Sequence, residues 1–121
     1  ANQQTLLIAQ IEHIQAVRNI QAILAVQGLD AIYVGPGDLS LSMGHPPSGD
    51  HPDVIQAIEQ VFAAAKAASL PCGTLTAGHD ELAFWLQRGG TLMTIGGDLW
   101  FLRDAADAAL TAARQTIAAR A

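Results

Sequence analysis

The sequence has few of the residues that mark several common protein classes. It contains one cysteine, Cys72, which excludes an internal disulfide and with it a disulfide-stapled secreted domain. Its six basic residues are scattered singly, and the net charge of −5 argues against nucleic-acid binding, which needs a clustered basic face. No apolar run is long enough to span a membrane and no signal-peptide pattern appears, so we expect a cytoplasmic protein with no membrane partner.

The 121 residues have the length and composition of one globular domain, which we assign to residues 1–121. Half of them are hydrophobic, and only 5% are aromatic. Because the sequence starts with Ala1 and enters an apolar run almost at once, we expect it to be cut from a longer chain.

The most informative stretch runs from Ala31 to Ser40, where an apolar segment meets a Gly-Pro-Gly corner and then Asp38. Four consecutive apolar residues between turn formers are typical of a strand that is covered on both faces. Parallel sheets bind ligands beyond the carboxyl ends of their strands. The pattern therefore places Asp38 at a ligand-binding edge.

Strands and helices alternate along the rest of the chain. The patterns predict strands over 6–12, 31–36, 71–76 and 92–96 and helices over 14–26, 52–69, 77–88 and 99–119. Within 77–88 they place Leu82, Trp85 and Leu86 inward. The segment from Leu39 to Asp53 has so many glycines and prolines that we expect a long loop with no regular structure beyond a turn.

Four consecutive strand–helix units predict an α/β fold of parallel strands, the second half of a (β/α)₈ TIM barrel. A four-stranded parallel sheet leaves unpaired backbone groups on both edges, so a longer barrel or edge-to-edge pairing of two copies is expected. A complete flavodoxin-like sheet is a lesser alternative, because that fold usually has five strands.

Two carboxylates follow the first two predicted strands. Neighbouring strands lie about 4.8 Å apart, so the side chains of Glu12 and Asp38 can reach one point. Two carboxylates suffice for Mg²⁺ or a similar ion, whose remaining ligands are substrate oxygens and water. Gly37 lacks a Cβ, so an anion such as a small carboxylate can approach the N–H groups of Gly37 and Asp38. Gln10 faces the same way as Glu12 and could donate its amide to the same ligand.

The pair Gln10 and Glu12, followed 26 residues after Glu12 by Asp38 within Gly-Pro-Gly-Asp-Leu-Ser-Leu-Ser-Met-Gly, resembles the HpcH/HpaI aldolase family. The resemblance spans essentially the whole chain. It implies a metal-dependent (class II) aldolase of (β/α)₈ fold that cleaves 4-hydroxy-2-oxo acids into pyruvate and an aldehyde. The four units here correspond to the second half of such a barrel.

Carried over by position, the resemblance implies that Glu12 and Asp38 bind a divalent metal, Mg²⁺, Mn²⁺ or Co²⁺. It also implies that Gln10, Gly37, Asp38 and Leu75 bind the substrate. The histidine base and the arginine of the family belong to the first half of the barrel, so we expect no catalytic residue in this chain and no activity from it alone. The family also implies a homo-oligomer that assembles through the C-terminal helix, where Trp100 and Phe101 are too bulky for one helix stripe to bury.

Each motif also has a simpler interpretation. Glu12 could be a solvent-exposed carboxylate at a strand end, Asp38 a turn residue, and Gln10 a partner of the backbone. The four histidines lack ligand spacing and are interpreted as surface or capping residues, and Cys72 as a small core residue. Gly96-Gly97-Asp98 is interpreted as a tight turn, although many barrels bind phosphate there. Lys66, the only lysine, is expected far from the site.

Two other functions are compatible with the same residues. One is a non-catalytic half-barrel that assembles with itself or with another chain and keeps the site by descent. The other is a citryl- or malyl-thioester lyase, which shares the barrel and the metal pair, although nothing in the sequence indicates a coenzyme A site.

Overall fold

A computed structural model describes residues 4–120 of the chain. Within these residues four strands alternate with six helices. The strands are β1 (Ile8–Ile11), β2 (Ala31–Val34), β3 (Cys72–Thr76) and β4 (Thr94–Ile95), and the helices are α1 (Ile14–Arg18), α2 (Ile20–Leu24), α3 (Pro36–Ser42), α4 (Pro52–Ala67), α5 (His79–Gln87) and α6 (Asp98–Ala118).

The four strands form one parallel sheet in the order β1-β2-β3-β4. In register, Gln10 pairs with Tyr33, Tyr33 pairs with Gly73, and Leu75 pairs with Thr94. Successive strands are therefore spatial neighbours joined by helical crossovers, as parallel pairing requires. The predicted α/β fold of four parallel strand–helix units is confirmed.

The core lies between the sheet and the helices. Side chains alternate along a strand, so Ile11, Val34 and Thr74 share one face, and all three are buried. Helix α4 contacts β2, β3 and the three helices before it, and its buried side chains include Ile58 and Phe62. The opposite face carries Gln10, which is exposed, together with Tyr33 and Leu75, which are half-buried. This face is where a ligand can lie.

Two predicted segments differ from the structure. The helix predicted over 14–26 is two short helices that meet at Asn19, a weak helix former whose φ of −98° and ψ of 12° depart from helical values. The predicted loop after Asp38 begins instead with α3. Proline suits the first position of a helix, and Leu39 and Ser40 bury themselves against the core, so seven residues form a helix before the breakers start at Gly44.

The C-terminal helix α6 has no buried residue among those described. Its predicted apolar stripe exists, but Leu102 and Ile117 are 70% and 71% exposed. In α5, Trp85 is buried as predicted and Leu82 is half-buried. Leu86 was also predicted to point inward, but it is 50% exposed, because the face of α5 that packs on the core is the one that carries Trp85. No helix among residues 4–120 combines the length and apolarity needed to cross a membrane.

Candidate functional site

The two predicted metal ligands lie at the same edge of the sheet. Glu12 follows the last residue of β1, and Asp38 is the third residue of α3, which starts two residues after β2 ends at Val34. A backbone hydrogen bond links the ends of β1 and β2, because the Gly35 N–H donates to the Ile11 carbonyl at 3.0 Å. Both carboxylates are exposed. The carboxyl ends of neighbouring parallel strands thus bring Glu12 and Asp38 to one side of the molecule.

Gln10 and Glu12 form a hydrogen-bonded pair. The Gln10 Nε2 donates to Glu12 Oε2 at 2.5 Å, which is possible because residues two apart on a strand project to the same face. A hydrogen bond to a carboxylate is among the stronger ones and restricts where the carboxylate lies. Gln10 therefore orients Glu12 and keeps a second amide hydrogen for another acceptor.

Gly35 makes room for this pair, a role that sequence reasoning missed. A Cβ at residue 35 would lie 3.1 Å from Gln10 Nε2 and 3.2 Å from Glu12 Oε2. These distances are shorter than ordinary contacts, so a side chain there would require the pair to shift by a few tenths of an ångström. The backbone of Gly35 has φ −92° and ψ 94°, which any residue adopts. Space, not backbone conformation, therefore favours glycine at residue 35.

The first turn of α3 offers two free backbone donors. Its first intrahelical hydrogen bond runs from the Leu39 N–H to the Gly35 carbonyl, Pro36 has no N–H, and Gly35 provides no side-chain cap. The N–H groups of Gly37 and Asp38 consequently donate to no described residue. A Cβ on Gly37 would meet only the Pro47 carbonyl oxygen, at 3.5 Å, which is ordinary contact. Both amides are open to an acceptor.

A cavity of about 510 Å³ lies beside this corner. Four predicted substrate-binding residues line it, namely Gln10, Gly37, Asp38 and Leu75. Glu12 does not line the cavity, but its side chain is hydrogen-bonded to Gln10, which does. The other lining residues include Tyr33, Glu81 and Trp100, which the sequence analysis did not place there. Of these three, only Tyr33 had a signal in the sequence, because it lies on β2, two residues before Gly35.

Glu12 and Asp38 fit a hard divalent cation by the chemistry of their donor atoms. Glu12 Oε1 and both oxygens of Asp38 accept no hydrogen bond from a described residue, so three carboxylate oxygens are available at this edge. Ions such as Mg²⁺ prefer such oxygens and complete their shell with water and substrate. The donor atoms of the two residues therefore match the kind of ligand that such an ion takes.

A second group of ligand-type side chains lies in the loop before α4. Ligand atoms of His45, His51 and Asp53 lie within 4.8 Å of one another. However, His51 Nδ1 already accepts a hydrogen bond from the Asp53 N–H at 3.2 Å, and the His45 and His51 rings stack on each other at 3.6 Å. The helix N-terminus also disfavours a cation. This geometry favours capping by His51, as predicted, and His13 likewise caps α1 by accepting from the Gln15 N–H.

Two residues that were expected to lie outside the site do so. Cys72 is buried at the start of β3, and burial raises the pKa of its thiol to about 12, which keeps it protonated and unreactive. Lys66 is in the last turn of α4, beside Leu70 and Pro71, at the amino end of β3. Neither residue lines the cavity next to Asp38.

Comparison with known proteins gives one consistent result. A family model described as HpcH/HpaI aldolase/citrate lyase matches residues 1–105. A 5-keto-4-deoxy-D-glucarate aldolase of Salmonella arizonae is 42% identical over 103 residues. These cover 85% of this chain and 40% of the relative.

Solved structures agree with the sequence relatives. An HpcH/HpaI aldolase from Desulfitobacterium hafniense superposes with a TM-score of 0.86 at 33% identity, covering 93% of this chain and 44% of that one. An HpcH/HpaI aldolase/citrate lyase family protein from Burkholderia cenocepacia superposes with a TM-score of 0.88 at 34% identity, covering 94% and 44%. The chain thus spans less than half the length of the relatives that it matches.

Proposed function

This chain belongs to the HpcH/HpaI aldolase/citrate lyase family, and from that premise we propose that it forms the metal- and substrate-binding half of a class II aldolase. The reaction would be cleavage of a 4-hydroxy-2-oxo acid into pyruvate and an aldehyde. Supporting relatives carry the name 5-keto-4-deoxy-D-glucarate aldolase, so we further propose a substrate derived from a sugar acid.

One observation carries the proposal. The hydrogen-bonded pair of Gln10 and Glu12 lies against Gly35, and the same turn leads within three residues to Asp38 and to two free N–H groups. Carboxylate oxygens for a cation and amide donors for an anion are thereby gathered at one edge of the sheet. A metal-chelating 2-oxo acid needs both kinds of group at once.

Glu12 and Asp38 would hold the divalent ion, Mg²⁺, Mn²⁺ or Co²⁺. When bound, such an ion supplies Lewis-acid stabilisation of the charge that develops on the 2-oxo oxygen as the carbon–carbon bond breaks. Gln10 fixes one oxygen of Glu12 and offers its second amide hydrogen to the ligand. The N–H groups of Gly37 and Asp38 bind the substrate carboxylate, and Leu75 packs against its carbon chain.

The remaining chemistry is assigned outside these 121 residues. A base must abstract the proton of the 4-hydroxyl group, and a cation must assist the transition state, yet Lys66 and the arginines of the described part of the chain do not line the cavity. We propose that a histidine and an arginine from the rest of the barrel supply these roles. This chain alone would then bind metal and oxo acid without turning substrate over.

Two further parts of the proposal concern the oligomeric state and the cellular location of the protein. We propose that α6 joins a homo-oligomer, since its exposed apolar side chains, Leu102 and Ile117 among them, have nothing to pack against within residues 4–120. A cytoplasmic location remains a prediction from the sequence.

The Asp38→Ala variant tests the proposal in the protein that carries this sequence. Removing one of two carboxylate ligands should lower Mn²⁺ affinity by at least about tenfold and abolish Mn²⁺-dependent pyruvate binding. Electron paramagnetic resonance measures free Mn²⁺, and calorimetry measures pyruvate binding. Asp107→Ala is the matched control, because it removes the same charge from the exposed surface of α6. Unchanged affinities in Asp38→Ala would refute the assignment.

A further inference from the structure

Two hydrogen bonds tie together the chain segments that carry Glu12 and Asp38. Before the carboxylates, a backbone hydrogen bond links the ends of β1 and β2. After them, the N–H of Ile14, the first residue of α1, donates at 3.0 Å to Oγ of Ser42, the last residue of α3. The two hydrogen bonds therefore enclose Glu12 on one segment and Asp38 on the other.

The hydroxyl group of Ser42 acts as a bridge between α1 and α3. It accepts from the Ile14 N–H and donates to the Leu39 carbonyl at 2.7 Å. A hydroxyl group has one hydrogen, so the bond to Leu39 leaves only lone pairs to face α1, and these suit an N–H group. The Ile14 N–H belongs to the first turn of α1 and has no acceptor within that helix. Ser42 thus fills this need from a different helix.

Each end of the bridge lies close to one of the two carboxylates. Ile14 comes two residues after Glu12. Ser42 comes four residues after Asp38 on α3, and residues four apart in a helix lie one turn apart on the same face. A change in the bridge would therefore alter the spacing between the Glu12 turn and the first turn of α3.

Apolar packing provides a weaker restraint on this spacing. Helices α1 and α3 both pack against α4, and both are short, with five and seven residues. Burial of apolar surface has no preferred direction, so it holds each helix on α4 but permits small sliding of one relative to the other. A hydrogen bond has a preferred length and angle. The Ser42 bridge thus adds a restraint that packing on α4 does not supply.

We propose that Ser42 is a positioning residue that holds Glu12 and Asp38 at the spacing required by a small divalent ion. This inference rests on the proposed function, since the metal pair comes from it. It predicts an effect on ion selectivity. Mg²⁺ demands oxygens at about 2.0–2.1 Å in near-ideal octahedral geometry, whereas Ca²⁺ accepts about 2.3–2.6 Å in flexible geometry. A restrained pair favours the smaller ion, and a loosened pair loses this preference.

The experiment measures ion binding to Ser42→Ala in the protein that carries this sequence. Electron paramagnetic resonance gives the Kd of Mn²⁺, and competition against Mn²⁺ gives those of Mg²⁺ and Ca²⁺. Ser42→Ala removes the bridge and should weaken Mn²⁺ and Mg²⁺ by about five- to tenfold, near the lower end of the range for residues that orient metal ligands. Ca²⁺ should change by less than about twofold, so the ratio of the Ca²⁺ and Mg²⁺ affinities shifts at least about threefold toward Ca²⁺.

Two further variants separate positioning from a general effect on folding. Ser42→Thr keeps a hydroxyl group, which in a helix can bond the carbonyl three residues earlier, so it should stay within about twofold of wild type. Thr76→Val is the matched control. It deletes a buried hydroxyl group that donates to the Thr94 carbonyl at 3.1 Å and joins β3 to β4. It should lower the stability to urea without changing the ratio of the ion affinities.

A ratio of ion affinities that is the same in Ser42→Ala and in wild type overturns the inference, and so does an equal shift in Thr76→Val or in Ser42→Thr. If Ser42→Ala does not fold, Ser42→Cys takes its place, because a thiol keeps the shape but is a weak donor and acceptor. It should shift the ratio in the same direction, and an unchanged ratio overturns the inference. If wild type binds none of the three ions, the proposed function itself fails, which is a distinct result.

Discussion

Gly35 and Gly37 are two residues apart and have opposite tolerance for a side chain. At Gly35 a Cβ would crowd the side chains of Gln10 and Glu12, whereas at Gly37 it would meet a single carbonyl oxygen at ordinary distance. Sequence reasoning assigned the important space to Gly37, because ligand approach to the backbone seemed the constraint. The structure assigns it to Gly35, where two side chains of β1 need the volume.

We expect Gly35→Ala to lower Mn²⁺ affinity by about tenfold, since displacing a group that orients a metal ligand typically costs that much. Gly37→Ala is the matched control and should stay within about twofold of wild type, because its Cβ makes only ordinary contact. Binding is measured by Mn²⁺ titration, and circular dichroism checks that both variants fold. Equal losses in the two variants would contradict the role given to Gly35.

At the level of elements, α4 depends on the loop that precedes it. His51 caps the helix through its Nδ1, and its ring stacks on His45 at 3.6 Å. The same loop is tied back to α3, where the buried Ser40 Oγ donates to the Pro46 carbonyl at 2.6 Å. The loop also includes Pro47 and Ser48, which line the cavity. The start of α4 and the wall of the site are therefore stabilised together.

We expect His51→Ala to lower the free energy of unfolding by about 1 kcal/mol, the usual cost of losing an N-cap acceptor. His51→Ser should recover most of this loss, because a serine hydroxyl also accepts from the first turn, and the remainder reports the stacking on His45. Urea unfolding followed by circular dichroism is the measurement. His79→Ala, at the exposed first position of α5, serves as control. A loss as large in His79→Ala would argue against capping.

At the largest scale, residues 4–120 form a half-barrel with apolar surface on both flanks. Ile8 on β1 and Ile95 on β4 are 42% and 53% exposed, and α6 has no buried residue among those described. Patches of this kind in a stable protein usually mark surfaces that another polypeptide covers. The relatives are more than twice as long as the region that they share with this chain.

We expect the Leu102→Ser, Ile117→Ser double variant to weaken self-association by at least about tenfold, since two exposed apolar side chains of the α6 stripe are removed. The unfolding free energy of the chain should change little, because neither side chain is buried. Sedimentation velocity over a concentration series gives the association constant. The control pair Asp107→Ser, Gln115→Ser lies on other faces of the same helix. An oligomer unaffected by the first pair would place the contact elsewhere.

The sequence by itself determined the order of the strand–helix units and the edge at which Glu12 and Asp38 emerge. Periodicity reports which face of an element is apolar, and the carboxyl ends of consecutive parallel strands must meet at one edge. Periodicity also predicted that Trp85 points into the core, and the small apolar side chain of Cys72 was predicted to be buried. These features depend only on neighbours along the chain and on the handedness of the crossover.

Only the tertiary structure decided which side chains share a space. The pairing of Gln10 with Glu12 above Gly35, the position of Tyr33 beneath that corner and the stacking of His45 on His51 depend on backbone distances across elements. The helix α3 also formed where glycines and prolines suggested a loop, because burial of Leu39 and Ser40 outweighed the nearby breakers. Packing free energy is collective, so no local pattern of residues specifies it.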